Sequence, residues 1–373
     1  RPRVVGLGNA GLMRILYGVQ STGNGHITRA RAMAKALADQ RLEVDYLFSG
    51  RDPDQFFDME VLGAYRLCRG FSLDIRAGSV RILGTLRQIA PRRFLREIRE
   101  LDLEPYDLVL TDFEPVTAWG ARVRGRPCVG LGHQYAFHYP VPRPPGAYHQ
   151  RLLMRWMAPA EVALGLHWHH FDAPLLPPIA PVGEPAADPD PRLIVVYLPF
   201  EKPEAIRALL APFTDHEFAI YHPQAATAGN GLAQLRWHRP NRDGFQAELA
   251  RCGGVICGAG FELASEALQL GVKLLVKPVQ GQSEQLANAM ALAQLGFAAT
   301  MDTLDGARVR AWLEHGRAVR VRYPNVAAAI ARWIAEGHDP DIQPLSAALW
   351  RATRFPTAAT PDATEHDHIV QEP

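Results

Sequence analysis

Residues 255–289, VICGAGFELASEALQLGVKLLVKPVQGQSEQLANA, constrain this chain more than any other stretch. A short apolar run, a Gly-containing turn, a helix-forming run, a second apolar run and a polar loop opening another helix succeed one another. That order and spacing predict one half of a parallel α/β sheet. Residues 255–257 and 273–279 read as its buried strands. Between them, Gly258 and Gly260 let the backbone come close to a ligand where a helix opens. Unpaired N–H groups and the positive end of the helix dipole at such a place suit a phosphate.

A second unit of the same kind opens the chain. Residues 14–19 (RILYGV) read as a buried strand, followed by a Gly-containing loop with His26, an Ala-rich helix ending near Asp39, and a strand over 43–48. Strand–loop–helix–strand at this spacing is a βαβ unit with a right-handed crossover, so the Gly-rich loop falls at the carboxyl end of the first strand. Residues 106–111 and 127–131 continue the sheet. The first ends in Asp112 and Glu114, the second in His133 and Gln134.

The 373 residues suit two domains, and 47% apolar with 21% charged residues supplies two cores. The predicted layout is a Rossmann-like unit over 13–176, a Pro-rich linker over 177–192, a second Rossmann-like unit over 193–336 and a loose tail over 337–373. Residues 1–12 read as an upstream extension. Residues 150–166 are expected to form a helix broken near Pro159, and residues 79–100 basic helices whose charged face is solvated. A formal net charge of +1 argues against nucleic acid as partner. Cys68, Cys128, Cys252 and Cys257 lack ligand-like spacing, which suits a reduced, cytoplasmic protein. His167, His169 and His170 have no second ligand cluster, so no metal is expected.

The skeleton Gly260 … Ser265-Glu266 … Pro278 … Glu284-Gln285 … Asn288-Ala289, with Gly23-Asn24-Gly25-His26 after the first strand, resembles the GT-B glycosyltransferases. It is similar both to the UDP-glycosyltransferase family and to the family that adds GlcNAc to the lipid-linked peptidoglycan precursor. The resemblance implies two Rossmann-like domains facing each other across a cleft, the first binding the acceptor and the second a nucleotide sugar. It implies that Gly258, Ala259 and Gly260 place N–H groups on the diphosphate, with Ser265 adding a hydroxyl. Glu266 would bind the ribose, and Glu284 with Gln285 the transferred sugar. Across the cleft, His26 would take the acceptor's proton with Asp112 behind it, and Gly23, Asn24, Gly25, Glu114, His133 and Gln134 would line the acceptor side.

A hydroxyl is a poor nucleophile, and an imidazole oriented by a carboxylate is a suitable base for it. The expected function is therefore an inverting transfer from a UDP-sugar, with no cofactor and no metal, to a lipid-linked, polysaccharide-precursor or natural-product hydroxyl. A lipid-linked acceptor would bring peripheral contact with the inner face of a membrane. A UDP-sugar 2-epimerase of the same fold and a non-catalytic nucleotide-sugar-binding protein are the alternatives.

Overall fold

The computed structural model describes residues 12–53, 56, 58–70, 75–76, 79–80, 90–145, 154–180, 183, 185–225 and 231–356. In the first half, β1 (Arg14–Gln20), α1 (Asn24–Asp39), β2 (Glu43–Ser49) and β3 (Tyr65–Cys68) are followed by a short antiparallel pair, β4 (Ile75–Arg76) and β5 (Ser79–Val80). Then come α2 (Pro91–Glu100), β6 (Leu108–Asp112), α3 (Pro115–Arg124), β7 (Cys128–Gly132) and β8 (Val162–Gly165). The second half runs β9 (Asp190–Tyr197), α4 (Pro203–Leu210), β10 (Glu217–Tyr221), β11 (Leu235–His238), α5 (Arg242–Arg251), β12 (Cys252–Cys257) and α6 (Phe261–Leu270). It continues with β13 (Lys273–Val276), α7 (Ser283–Gln294), β14 (Ala299–Thr300), α8 (Gly306–His315), α9 (Val326–Ala335) and α10 (Gln343–Ala352).

Each half builds a six-stranded parallel sheet. Their lateral orders are β3-β2-β1-β6-β7-β8 and β11-β10-β9-β12-β13-β14, the same doubly wound order twice. The central strands are buried along nearly their whole length, as expected of strands covered by helices on both faces. At Gly18, in β1, a Cβ would collide with the Thr117 side chain of α3. Only glycine lets that helix pack so closely. The order reverses between β1 and β6 and between β9 and β12, and open α/β sheets bind ligands at such points.

Three sequence expectations change. Residues 162–165 are an edge strand, not part of a helix: Val162 pairs with Val129 and Gly165 with Gly132 of β7. Only one helical turn, over 154–157, precedes it among the described residues. The Ala- and Leu-rich composition favours helix locally, but the open edge of β7 satisfies this backbone instead. Residues 79–80 lie in β5, so the basic helix begins only at Pro91, and 81–89 lie outside the described residues.

The third change concerns the tail. Residues 343–352 form α10, and Ser346 Oγ and Trp350 Nε1 both donate to the Leu175 carbonyl of the first half, at 2.6 and 2.7 Å. α9 likewise packs on α1. The last helices of the second half thus lie against the first, and the largest buried apolar cluster runs through both.

Candidate active site

The two switch points face each other. In the first sheet, Val19 and Asp112 are register partners at the ends of β1 and β6, and α1 opens just beyond β1. His26 therefore sits in the first turn of α1, and its Nδ1 lies 2.7 Å from Asp112 Oδ1. Residue 113, next to Asp112, holds a left-handed conformation (φ 54°) although it is Phe, a strained geometry of the kind found at functional sites. Glu114 then caps α3.

Arg29, one turn along α1, is buried beside them. Its Nε and Nη2 grip Asp112 Oδ2 and Oδ1 at 2.7 and 2.6 Å, and its Nη1 pairs with Glu262 of α6, on the other half. Burial works to raise the Asp112 carboxyl, but Arg29 and then His26 hold it below its usual value, so it is ionised. Burial opposes the Arg29 charge as well, and Asp112 and Glu262 more than restore it. An ionised Asp112 accepts from His26 Nδ1–H. Arg29 Nη2, 3.0 Å from that nitrogen, has Asp112 Oδ1 as its nearer partner. His26 Nε2 is then the ring nitrogen with a free lone pair, and Gln134 Nε2 lies 3.5 Å from it.

Gln134 reaches across the cleft, donating to Glu284 Oε1 and Oε2 at 3.3 and 3.2 Å, while its own Oε1 is buried without a partner. Gln282 Oε1, at the start of α7, is a second unpaired buried acceptor. Asn24 also spans the cleft, donating to the Tyr197 hydroxyl and accepting from Arg51.

In the second sheet, Tyr197 and Cys257 are register partners at the ends of β9 and β12. The Gly258 N–H is spent on the Tyr197 carbonyl at 3.2 Å, so the expected diphosphate contact from that group is withdrawn. Ala259 is buried, with its carbonyl held by Asn288 Nδ2, and Gly260 opens α6. Glu266 is buried with one partner, Gln246, and burial pushes its carboxyl up to about 7. Gln285 lies behind Gly258 and accepts from Val279 N–H at 3.0 Å, fixing the loop before α7.

Among the described α-helices, α1, α6 and α7 begin with neither a side-chain cap nor a proline in the first turn. All three open at the switch-point edges, so their free N–H groups and positive dipole ends are left for an anion.

Three other expected site residues are engaged elsewhere. Glu114 is fully buried and spent on the N-terminus of α3, accepting from Val116 and Thr117 N–H and from the Ser49 hydroxyl. Ser265 accepts from Trp168 Nε1 and donates to the Phe261 carbonyl, so its hydroxyl locks the two halves and is unavailable to a phosphate. His133 is buried in the same lock, stacked on Phe261 at 4.1 Å, with its nitrogens against the Leu166 carbonyl and Asn288 Oδ1. The remaining acceptor-side pair, Gly23 and Gly25, frames the α1 start. A Cβ on Gly25 would collide with Glu262.

In the His167–His170 run, each of the three histidine Nδ1 atoms takes a backbone N–H of its own turn. Among the described residues no group of His, Cys, Asp or Glu is arranged to hold a metal ion. Arg29 and Glu262 were missed in sequence, where both read as ordinary charged helix residues. Their three- and four-residue distances from His26 and Gly258 were the available signal.

Two doubly wound halves meeting edge to edge, with a His–carboxylate pair on one and uncapped helix starts on the other, give the GT-B architecture. The Glycosyl transferase family 1 profile matches residues 13–315, and the chain belongs to that family of glycosyltransferases. No curated protein is similar enough in sequence to match it.

Among solved structures, LpCGTa in complex with UDP is similar at 16% identity and a TM-score of 0.56, over 91% of this chain and 98% of that one. The glycosyltransferase VinC in complex with dTDP is 16% identical, with a TM-score of 0.51 over 91% and 99%. Acinetobacter baumannii MurG is 17% identical, with a TM-score of 0.51 over 91% and 100%. Among the described residues no helix is long and apolar enough to cross a membrane.

Proposed function

We propose that the chain transfers a sugar from a UDP-sugar to an acceptor hydroxyl by one direct displacement, inverting the anomeric carbon without a metal. The observation that carries this reading is the His26 Nδ1–Asp112 Oδ1 bond at one sheet edge, opposite the uncapped starts of α6 and α7 at the other. The acceptor hydroxyl gives its proton to His26 Nε2, and its oxygen forms the new bond to the anomeric carbon. The bond from that carbon to the diphosphate breaks, and the electron pair leaves with the phosphate oxygen. Asp112 orients the imidazole and balances the imidazolium that forms. The leaving diphosphate gathers charge at Ala259, Gly260 and the first turn of α6, where free N–H groups stabilise it.

Glu266 is the partner for the ribose hydroxyls, since a buried carboxylate with one hydrogen bond has acceptor capacity to spare. Glu284, Gln285 and the unpaired Gln134 and Gln282 oxygens suit the hydroxyls of the transferred sugar. Similar structures hold UDP and dTDP, and UDP is the reading for this chain. The acceptor binds the first half, on the cytoplasmic side. Exposed Arg92, Arg93, Arg96 and Arg99 on α2 suit an acceptor carried at an anionic membrane face.

A thermal-shift panel of UDP-, dTDP- and GDP-sugars tests the donor, since a ligand at 100 Kd stabilises by about 2.7 kcal/mol. His26→Ala should lower kcat by about 10²–10⁴-fold with donor binding kept, and Glu266→Ala should lose the donor shift. Full turnover in the His26 variant removes the base assignment. Nucleotide binding without UDP release from any acceptor would favour the sensor reading.

A further inference from the structure

We infer that Glu262, a residue of the donor half, strengthens the general base of the acceptor half, so that His26 is the stronger base when the cleft is closed. The inference rests on His26 being the base. It starts from a charge count around Asp112. Arg29 holds that carboxylate through two nitrogens and is itself 1% exposed, so the pair Arg29–Asp112 is close to neutral as seen from His26. A proton arriving on His26 would then leave one positive charge uncompensated in a largely enclosed site, and a base so placed is poor. In the structure Glu262 pairs with the third face of the same guanidinium. The trio Asp112, Arg29 and Glu262 carries one net negative charge, and the imidazolium brings it to zero.

Two further observations point the same way. A Cβ on residue 25 would meet the Glu262 carboxylate, so glycine there leaves Glu262 room to take this position. Glu262 also stands in the first turn of a helix with no side-chain cap, facing the region where a diphosphate would bind. Its pairing with Arg29 lessens, without cancelling, the repulsion that a carboxylate there sets against the donor. Other ionisable groups around these residues are Tyr17 and Tyr135, buried and facing Asp112, Glu266, which feels the Glu262 charge, and Glu284, which reaches His26 through Gln134. Among the described residues none of them bonds to Arg29. Opening the cleft would therefore remove the balancing charge from the base while leaving the His26–Asp112 bond intact. Glu262 acts through Arg29 and Asp112, as a positioning residue.

The test uses the full chain with UDP present, comparing wild type, Glu262→Gln, His26→Ala and the double variant Arg29→Gln/Glu262→Gln. In Glu262→Gln, the His26 imidazole titration followed by NMR and the acid limb of the pH–rate profile should both move to lower pH. There kcat should fall about 10-fold, with the UDP thermal shift preserved. The double variant removes one charge of each sign from around Asp112. Its imidazole titration should return towards wild type, which a purely structural role for Glu262 does not produce. An unchanged titration in Glu262→Gln, loss of UDP binding in that variant, or no return in the double variant would each overturn the inference. Full turnover in His26→Ala would instead overturn the base reading on which it stands.

Discussion

Burial holds the Glu266 carboxyl at about 7, against an ordinary value of 4.5, and the empty protein bears the cost. Between those pH values the folded chain keeps a proton that the unfolded chain releases. Stability from this group is complete below about pH 4.5 and is lost as pH rises through 7, a loss of roughly 3 kcal/mol. Glu266→Gln should therefore raise the melting temperature of the empty protein at pH 8, flatten its dependence between pH 5 and 8, and weaken UDP-sugar binding. Calorimetry with and without nucleotide reads all three. A variant less stable than wild type at pH 8 would show that the carboxylate is better solvated than its burial implies.

His26 and Asp112 could be placed at a sheet edge from the sequence because they follow a Gly-rich turn and a strand end, and Glu266 near the facing edge through the spacing it shares with the family. Ser265, Glu114 and His133 were misread for one reason. Position in the chain says that a polar group lies near an edge, but not which partner has already claimed its hydrogen bonds. A tryptophan 97 residues away holds Ser265, and nothing local announces that.

Among the elements, the strands of both sheets were the most legible, since runs such as LIVVYL and LVLT are too apolar for anything but a covered strand. The edge strand β8 and the helix α10 were not legible, because each is decided by a distant partner. For α10 that partner is the Leu175 carbonyl, which accepts from Ser346 and Trp350. Removing both donors with Ser346→Ala and Trp350→Phe should cost about 2 kcal/mol, at ~1 kcal/mol for each net hydrogen bond. The denaturant midpoint should fall accordingly, with an unchanged midpoint marking α10 as idle. The three uncapped helix starts belong to this scale too. Each forgoes the ~1 kcal/mol of an N-cap side chain, and their convergence on one cleft makes that omission informative.

Over the whole molecule, the two halves meet through an aromatic contact: Phe261 against His133 at 4.1 Å and Trp168 at 4.8 Å, backed by the Trp168–Ser265 bond. Phe261→Ala should release this closure and lower stability by about 3–5 kcal/mol, the usual cost of emptying a buried aromatic site. Small-angle X-ray scattering should then show a larger radius of gyration without nucleotide and partial recovery with UDP. Identical curves for variant and wild type would mean that the other contacts between the halves, α9 on α1 and α10 on Leu175 among them, hold the closed arrangement without it. The two-domain plan could be read from the sequence, but the closed interface could not. Its residues come from segments more than 90 positions apart and look like ordinary core or helix-cap residues where they stand.

Because α10 returns to bond Leu175, the chain passes between the halves twice, once through the segment around residue 180 and once after α9. A body tied at one place can swivel and twist freely. The two ties here meet the first half at Leu175 and near residue 180, close together in the chain, so they serve as one pivot and not as a pair. The angle at which the halves come to rest is then left to contacts made elsewhere, Phe261 on His133 and Arg29 on Glu262 among them.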